Sequence, residues 1–349
     1  MDKYGLIYKG IMPNLLCCDT VLREVPNGDW VTVFLSGGES EPLPVNGIFI
    51  CRSTDKGATW SLPEKIISHN SNAAIPTEVM VYNNKVYLYF ITHNGKFLDW
   101  QSWYCISDDS GYTWRDQMPV PIKNKRTAIR NFIVKTNGDL VLPYQHYKID
   151  EDEHEQLKAQ GKYLWDSKTV KSENGILISY DMGDSWEVHG DICIDIDNWI
   201  WAENNVVELS NGSLVMLIRV DGTGVLYRAD SPDGGKHWIN AYPTEIPNPG
   251  AKVCLRKCSD GRIILIHNPT SGKGIGCMGG RNPLSIWISQ DDMQNWYEKR
   301  DLVSFPGWLS YPDGFIDIQG EYINFAFDYN RHDVIYVGAS LGTEVSCRY

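Results

Sequence analysis

Apolar residues in this chain come in short runs, and several of those runs end in the same polar punctuation. Ile48-Phe49-Ile50, Trp103-Tyr104-Cys105-Ile106, Ile176-Leu177-Ile178, Val225-Leu226-Tyr227 and Leu284-Ser285-Ile286-Trp287-Ile288 read as strands, each too short for a helix of ordinary length. Each is followed by the pattern S-x-D-x-G-x-[TSHN]-W: Ser53 to Trp60, Ser107 to Trp114, Ser179 to Trp186, Ser231 to Trp238, and Ser289 to Trp296, the last with Met293 in place of the glycine. A strand entering such a box enters a hairpin turn. The glycine takes a backbone conformation closed to most other residues, the Asp and Ser/Thr side chains bond local backbone groups, and the Trp covers the hairpin end. The Asp of each box is therefore structural in this reading.

Successive boxes are separated by 54, 72, 52 and 58 residues, a period suited to one four-stranded sheet plus loops. A repeat of such sheets predicts a β-propeller. The boxes resemble those of the Asp-box (BNR-repeat) proteins of the sialidase-like superfamily, and the resemblance covers nearly the whole chain. It implies an all-β, six-bladed propeller of four-stranded antiparallel sheets, one domain over residues 1–349, with the sixth, boxless blade from about Trp308 onward. Tyr4-Gly5-Leu6-Ile7-Tyr8 would close the ring against Val334-Ile335-Tyr336-Val337, leaving no free edge at the seam. The long spacing of 72 marks an insertion at about 148–174, charged and partly helix-like over Asp150 to Gln160.

Antiparallel strands alternate direction, so every loop falls on one of two rims. The boxes share a rim with first-to-second turns such as Pro26-Asn27-Gly28-Asp29 and Thr136-Asn137-Gly138-Asp139. The opposite rim gathers Glu39 and Glu41; His93, Asn94, Trp100 and Trp103; Arg130, Tyr144 and His146; Glu203 and Arg219; Arg281; Tyr311 and Arg331. Four arginines with carboxylates, tyrosines and histidines thus meet around the channel mouth, where a site is expected.

Composition narrows the classes. The 349 residues are 42% hydrophobic, enough for a core, and no run reaches the ~18 to 20 apolar residues of a membrane span. The first residues lack the layout of a secretory signal, and nine cysteines without a zinc-type C-x-x-C pair fit reduced thiols, so a cytoplasmic protein is expected, with neither metal nor cofactor. A formal net charge of −12 argues against nucleic acid as partner and leaves anion binding to a local basic cluster. Oligomeric state is left open.

The resemblance assigns roles on the second rim. In exo-α-sialidases three arginines hold the substrate carboxylate, a tyrosine paired with a glutamate is the nucleophile, and an aspartate is the acid/base. Glu203 stands where that glutamate opens the fourth blade, Arg219 sixteen residues later is similar to the second arginine, Arg281 to the third, and Tyr311 to the nucleophile. A phenol of ordinary pKa needs a carboxylate to take its proton. The Arg-Ile-Pro motif carrying the first arginine is replaced by Cys17-Cys18-Asp19-Thr20, and a thiol offers no bidentate contact to a carboxylate. For the acid, Glu41 falls nearest, with Glu39 beside it. The implied activity is hydrolysis at the end of a small acidic glycan. Two alternatives stay open. His146 and Tyr144, with Arg130, would serve β-elimination at a uronate, as in polysaccharide lyases that are also sialidase-like propellers. A carbohydrate-binding propeller without activity would use Trp100, Trp103, Trp199 and Trp201 as stacking surfaces.

Overall fold

Strand β1 (Lys3–Lys9) stands apart in sequence from the sheet it completes. The blades follow in chain order: β2 (Cys17–Glu24), β3 (Trp30–Ser36), β4 (Gly47–Ser53) and β5 (Glu64–Ile67) form blade one; β6 (Ala73–Tyr82), β7 (Lys85–His93), β8 (Gln101–Ser107) and β9 (Met118–Pro119) form blade two. Blade three has five strands, β10 (Thr127–Ile129), β11 (Ile133–Val134), β12 (Leu140–Lys148), β13 (Lys171–Ser179) and β14 (Glu187–Cys193), because its inner strand is broken in two. Blade four is β15 (Asn204–Glu208), β16 (Leu214–Ile218), β17 (Val225–Ser231) and β18 (Tyr242–Pro247); blade five is β19 (Cys254–Lys257), β20 (Ile263–His267), β21 (Leu284–Ser289) and β22 (Glu298–Val303). Blade six combines β23 (Leu309–Ile316), β24 (Tyr322–Tyr329) and β25 (Asp333–Ser340) with β1, which pairs antiparallel with β25 from Tyr4↔Val337 to Tyr8↔Val334. This computed structural model describes residues 1–69, 71–122, 125–196, 201–272 and 279–342.

Each blade is packed between two neighbours, so both faces of its inner strands are buried. In β16, Leu214, Met216 and Ile218 face the core shared with blade three, while Val215 and Leu217 face the one shared with blade five. This is why the strands read as continuous apolar runs instead of alternating with polar residues.

The boxes join blade to blade. In the second, Ser107 Oγ donates to Asp109 Oδ1 (2.7 Å) and accepts from Gly111 N (2.7 Å), while Asp109 accepts from the N (2.8 Å) and Oγ1 (2.6 Å) of Thr113. Gly111 has φ 85°, and its α-carbon faces Ile50 and Arg52 of blade one; Trp114 packs into the core between these blades. In the fifth box Met293 takes the same role at φ 64°, and its buried side chain packs into the core between blades four and five.

The insertion forms α1 (Glu151–Ala159), capped by Asp150, whose side chain accepts from Asp152 N and Glu153 N. Leu157 and Leu164 pack with Trp100 and Tyr147, and His154 Nε2 lies 3.0 Å from the Leu98 carbonyl oxygen, so the insertion sits firmly on the 94–100 loop of blade two.

At the ring axis a buried ion cluster joins four blades. Asp313 of β23 accepts from Arg23 of β2 (2.6 Å), Lys252 before β19 (2.6 Å) and Arg256 of β19 (3.0 Å), and Arg23 also bonds Glu78 of β6. Burial raises the pKa of Asp313, but the three cations more than reverse this and hold it well below the usual carboxylate range.

Two stability predictions follow from these contacts. Trp114→Ala should cost about 3 kcal/mol in urea unfolding, because a large ring leaves an inter-blade core, without altering chemistry on the opposite rim. Asp313→Ala should cost about 3 to 5 kcal/mol, because it strands buried cations; a variant as stable as wild type would show that the cluster contributes little.

Candidate active site

On the rim opposite the boxes, four of the six inner strands are irregular, and irregular pairing is what turns side chains off a sheet face. Register slips between Cys18 and Val21 in β2, between Pro76 and Glu78 in β6, and between Ser310 and Asp313 in β23, while blade three breaks around Arg130. Asp19 and Tyr311, both at φ 53°, occupy the left-handed region, at a cost of roughly 1 to 3 kcal/mol each for a residue other than glycine. Thr20 Oγ1 donates to the Tyr311 carbonyl at 2.9 Å and ties the two irregular strands across the seam.

Glu203 and Arg219 are cross-strand partners one step beyond the Asn204↔Ile218 pair, with Arg219 N donating to the Glu203 carbonyl at 2.9 Å. Arg219 Nη1 reaches Glu203 Oε1 (3.1 Å) and Oε2 (3.2 Å), while its Nε and Nη2 hold Asp221 Oδ1 (3.1 and 2.9 Å). The Tyr311 hydroxyl donates to Glu203 Oε1 at 3.1 Å and accepts from Arg219 Nη1 at 3.4 Å. Arg130 Nη2 stands 3.9 Å from Glu203 Oε1. Arg281 donates to Ser310 Oγ and the Gly250 carbonyl, both at 3.2 Å, with its guanidinium 5.7 Å from the Tyr311 ring centre.

Burial would raise the pKa of Glu203, but Arg219 and Arg130 outweigh it and leave a carboxylate. Burial and the Glu203 charge push the Tyr311 phenol well above its ordinary range, so at rest it is a protonated donor beside an ionised acceptor. Burial, with the Arg219 charge behind it, pulls Arg281 down.

These groups line a cavity of about 200 Å³. Glu41 and Asp19 enter it from blade one and Arg331 from the turn after β24; the remaining wall is apolar, built from Pro42, Ile75, Ile91, Phe97, Trp100, Trp165 and Trp201. Arg331 is bonded to Glu41, and its Nη2 lies 3.2 Å from Cys18 Sγ. The guanidinium thus reaches, from the other side of the seam, the Cys18 stretch that stands in place of the Arg-Ile-Pro motif. Cys18, Asp19 and Glu41 bring potential metal-ligand atoms within 4.8 Å of one another, but the Arg331 guanidinium already takes the cation's place there, and burial pushes the Cys18 thiol well up, away from the thiolate a metal requires.

The description "BNR repeat-like domain" matches residues 31–323. The chain belongs to this family. It is a six-bladed BNR-repeat propeller. It is similar to a sialidase of Paraclostridium sordellii, 26% identical over 258 residues that make up 65% of this chain and 53% of the relative, so it spans about half that protein's length. Among solved structures it is similar to a Hadza microbial sialidase (TM-score 0.73, 18% identity, 94% of this chain and 66% of that one). It is also similar to a protein of unknown function from Dyadobacter fermentans (TM-score 0.72, 16% identity, 97% and 98%). At these identities the structural likeness establishes the fold.

Of the residues expected at the site of this BNR-repeat propeller, Glu203, Tyr311, Glu41, Arg219, Arg281 and Arg130 meet in one cavity. Tyr144 and His146 do not. Alternation along β12 gives Gln145 to Arg130 (3.2 Å) and Tyr147 to Ala202 N (2.9 Å), and turns Tyr144 and His146 to the other face. Tyr144 packs in the core between blades two and three, where burial pushes its hydroxyl pKa well up and holds it protonated, and His146 lies 2.9 Å from Thr127 Oγ1, its pKa lowered to about 4 chiefly by burial. The lyase reading loses its base by that alternation. Glu39 is exposed outside the cavity wall, and Trp103 packs between blades one and two with Nε1 on Thr92 Oγ1 (3.0 Å). Trp199 lies outside the described residues. Asp19, Phe97 and Trp165 went unassigned from sequence; only the long box spacing pointed toward Trp165, and Arg331 was placed on the rim without a role.

Behind the cavity, Asp328 at the end of β24 is fully buried, and its Oδ1 accepts from Arg331 N at 3.3 Å. Burial pushes its pKa from 3.8 up to about 7, against the pull of Arg331. Below pH 3.8 folded and unfolded chains both hold this proton; between there and about 7 only the folded chain does, so stability declines as pH rises. Asp328→Asn should therefore raise Tm at pH 8 and leave it nearly unchanged at pH 4. An equal shift at both values would show that Asp328 is not the group responsible.

Proposed function

We propose that this propeller is a glycoside hydrolase that removes an acidic sugar from the end of a glycan, with Tyr311 as nucleophile and Glu203 as its base. The observation that carries this reading is the Tyr311 hydroxyl donating to the buried Glu203 carboxylate at 3.1 Å on the wall of a small cavity. A phenol kept protonated at rest attacks only as it loses its proton, and Glu203 is placed to take it. Arg219, bonded to Glu203 and within 3.4 Å of the phenol oxygen, holds both groups in register. Arg281 and Arg331 add positive charge to the same wall, which suits a sugar bearing a carboxylate. A cavity of about 200 Å³ suits a single sugar at the end of a glycan. Similarity to proteins named sialidases agrees with this chemistry.

Tyr311→Phe keeps the ring and removes the attacking oxygen, so turnover should fall by orders of magnitude while the protein stays folded. Glu203→Gln should lower kcat comparably, and the double variant should be little worse than either single one, since the two groups act as a unit. Turnover of Tyr311→Phe close to wild type, measured on an acidic glycoside, would remove the tyrosine mechanism.

A further inference from the structure

We propose that Asp19 is the general acid that protonates the leaving group, with Glu41 and Arg331 as its positioning residues. This rests on the reading of Tyr311 and Glu203 as nucleophile and base. Glu41 falls at the place in the chain where an acid was expected, but the geometry favours its neighbour. A general acid must face the substrate and must hold a proton at working pH. Both carboxyls line the cavity, with oxygens within 4.8 Å of each other, and two carboxylates so close do not readily ionise together. The Arg331 guanidinium is bonded to Glu41, and Asp19, buried beside that pair, is the carboxyl that burial favours in its protonated form.

The surroundings of Asp19 agree. It is buried, it lies in the irregular stretch of β2, and its left-handed backbone turns the side chain from the sheet toward the cavity. The charged and titratable groups around it are Glu41 and Cys18 of blade one, Arg331, Asp328 and Tyr311 of blade six, Arg130 of blade three and Glu203 of blade four. Burial and the Glu41 charge push its carboxyl up to about 6, and Arg130 and Arg331 keep it from rising further. That is a carboxyl able both to give a proton near neutrality and to take one back. Thr20, the next residue, bonds the Tyr311 carbonyl at 2.9 Å, so acid and nucleophile are held on adjoining strands.

The chemistry balances over two steps. In the first, the Asp19 proton passes to the glycosidic oxygen as its bond to the anomeric carbon breaks and the electron pair stays on that oxygen. The Tyr311 oxygen bonds the anomeric carbon and its proton goes to Glu203. In the second, water attacks the anomeric carbon and gives a proton to the Asp19 carboxylate; the Tyr311–carbon bond breaks, and the phenol oxygen recovers its proton from Glu203. The net change is one water consumed and two hydroxyl groups formed.

The test compares leaving groups. Wild type, Asp19→Asn, Glu41→Gln and Tyr311→Phe are assayed on paired 4-nitrophenyl and methyl glycosides of sialic acid and of glucuronic acid. A nitrophenolate leaves without protonation and an alkoxide does not, so Asp19→Asn should lose ~10²- to 10⁴-fold on the methyl glycoside and under about tenfold on the nitrophenyl one, and its kcat/KM should lose the basic limb of the pH profile. Glu41→Gln removes the charge that raises Asp19, so its basic limb should move to lower pH while the leaving-group pattern stays that of wild type. Asp19→Asn losing equally on both substrates, or Glu41→Gln showing the leaving-group pattern in its place, overturns the assignment. Tyr311→Phe failing on both substrates of a pair keeps the nucleophile reading distinct from this result. An active Tyr311→Phe, or a wild type that cleaves none of the four glycosides, removes the mechanism on which the assignment stands.

Discussion

The buried carboxylate of Asp313 is the constraint on which the rest of this propeller depends. Inner strands that radiate from an axis leave a channel that apolar side chains alone do not fill, and here it is filled with charge. One carboxylate receives Arg23, Lys252 and Arg256, and Arg23 also holds Glu78, so that blades one, two, five and six meet in one cluster. Ions taken out of water are costly unless each is met by opposite charge and hydrogen bonds, and Arg23 and Arg256 meet that demand further by donating to the Gly314 carbonyl at 3.2 and 2.8 Å. The same cluster places the chemistry. Asp313 lies two residues beyond Tyr311, and the register slip between Ser310 and Asp313 lets one residue face the axis while the other faces the cavity.

Above that floor the cavity repeats the principle with groups that are less evenly matched. Arg219 is shared between Glu203 and Asp221, Arg130 between Glu203 and Gln145, and Arg331 is bonded to Glu41, while the buried Asp19 and Asp328 are pushed toward neutrality. The cost of burying charge falls on some carboxyls by holding their protons and on others by pairing them. Strain contributes as well, in the left-handed backbones of Asp19 and Tyr311 facing each other across the seam. Such sites are unstable in isolation and persist because rigid blades on either side determine them.

The apolar side of the cavity comes from blades two and three and from the segment leading into blade four. In a ring of six, blade three lies across from blade six, so the wall of Phe97, Trp165 and Trp201 faces the blade carrying Tyr311 and Arg331. Trp165 is 38% exposed, yet its position is set: it stacks on Tyr163 with centroids 4.4 Å apart, and Lys96 lies 3.9 Å from the centre of the Tyr163 ring. The insertion is thus an ordered part of the cavity wall.

What the sequence by itself determined is what short-range geometry controls. A box is eight residues whose hydrogen bonds run among themselves, so its pattern is visible wherever it occurs, and five copies announce the repeat. Glu203 and Arg219 were legible as a pair because a hairpin folds them together across a turn centred on Asn211, and the helix of the insertion was legible from its charged, partly helix-like run. Tyr144 and His146 were misplaced by one residue of alternation, which local pattern does not fix when both faces of a strand are buried. Arg331, Asp19 and Glu41 meet only because β1 closes the ring and brings blade six against blade one, residues some three hundred positions apart in the chain. Phe97 and Trp165 reach the cavity only because the insertion docks on the neighbouring blade. Those juxtapositions rest on ring closure and register slips in inner strands, which are properties of the packed whole, and so only the tertiary structure decided them.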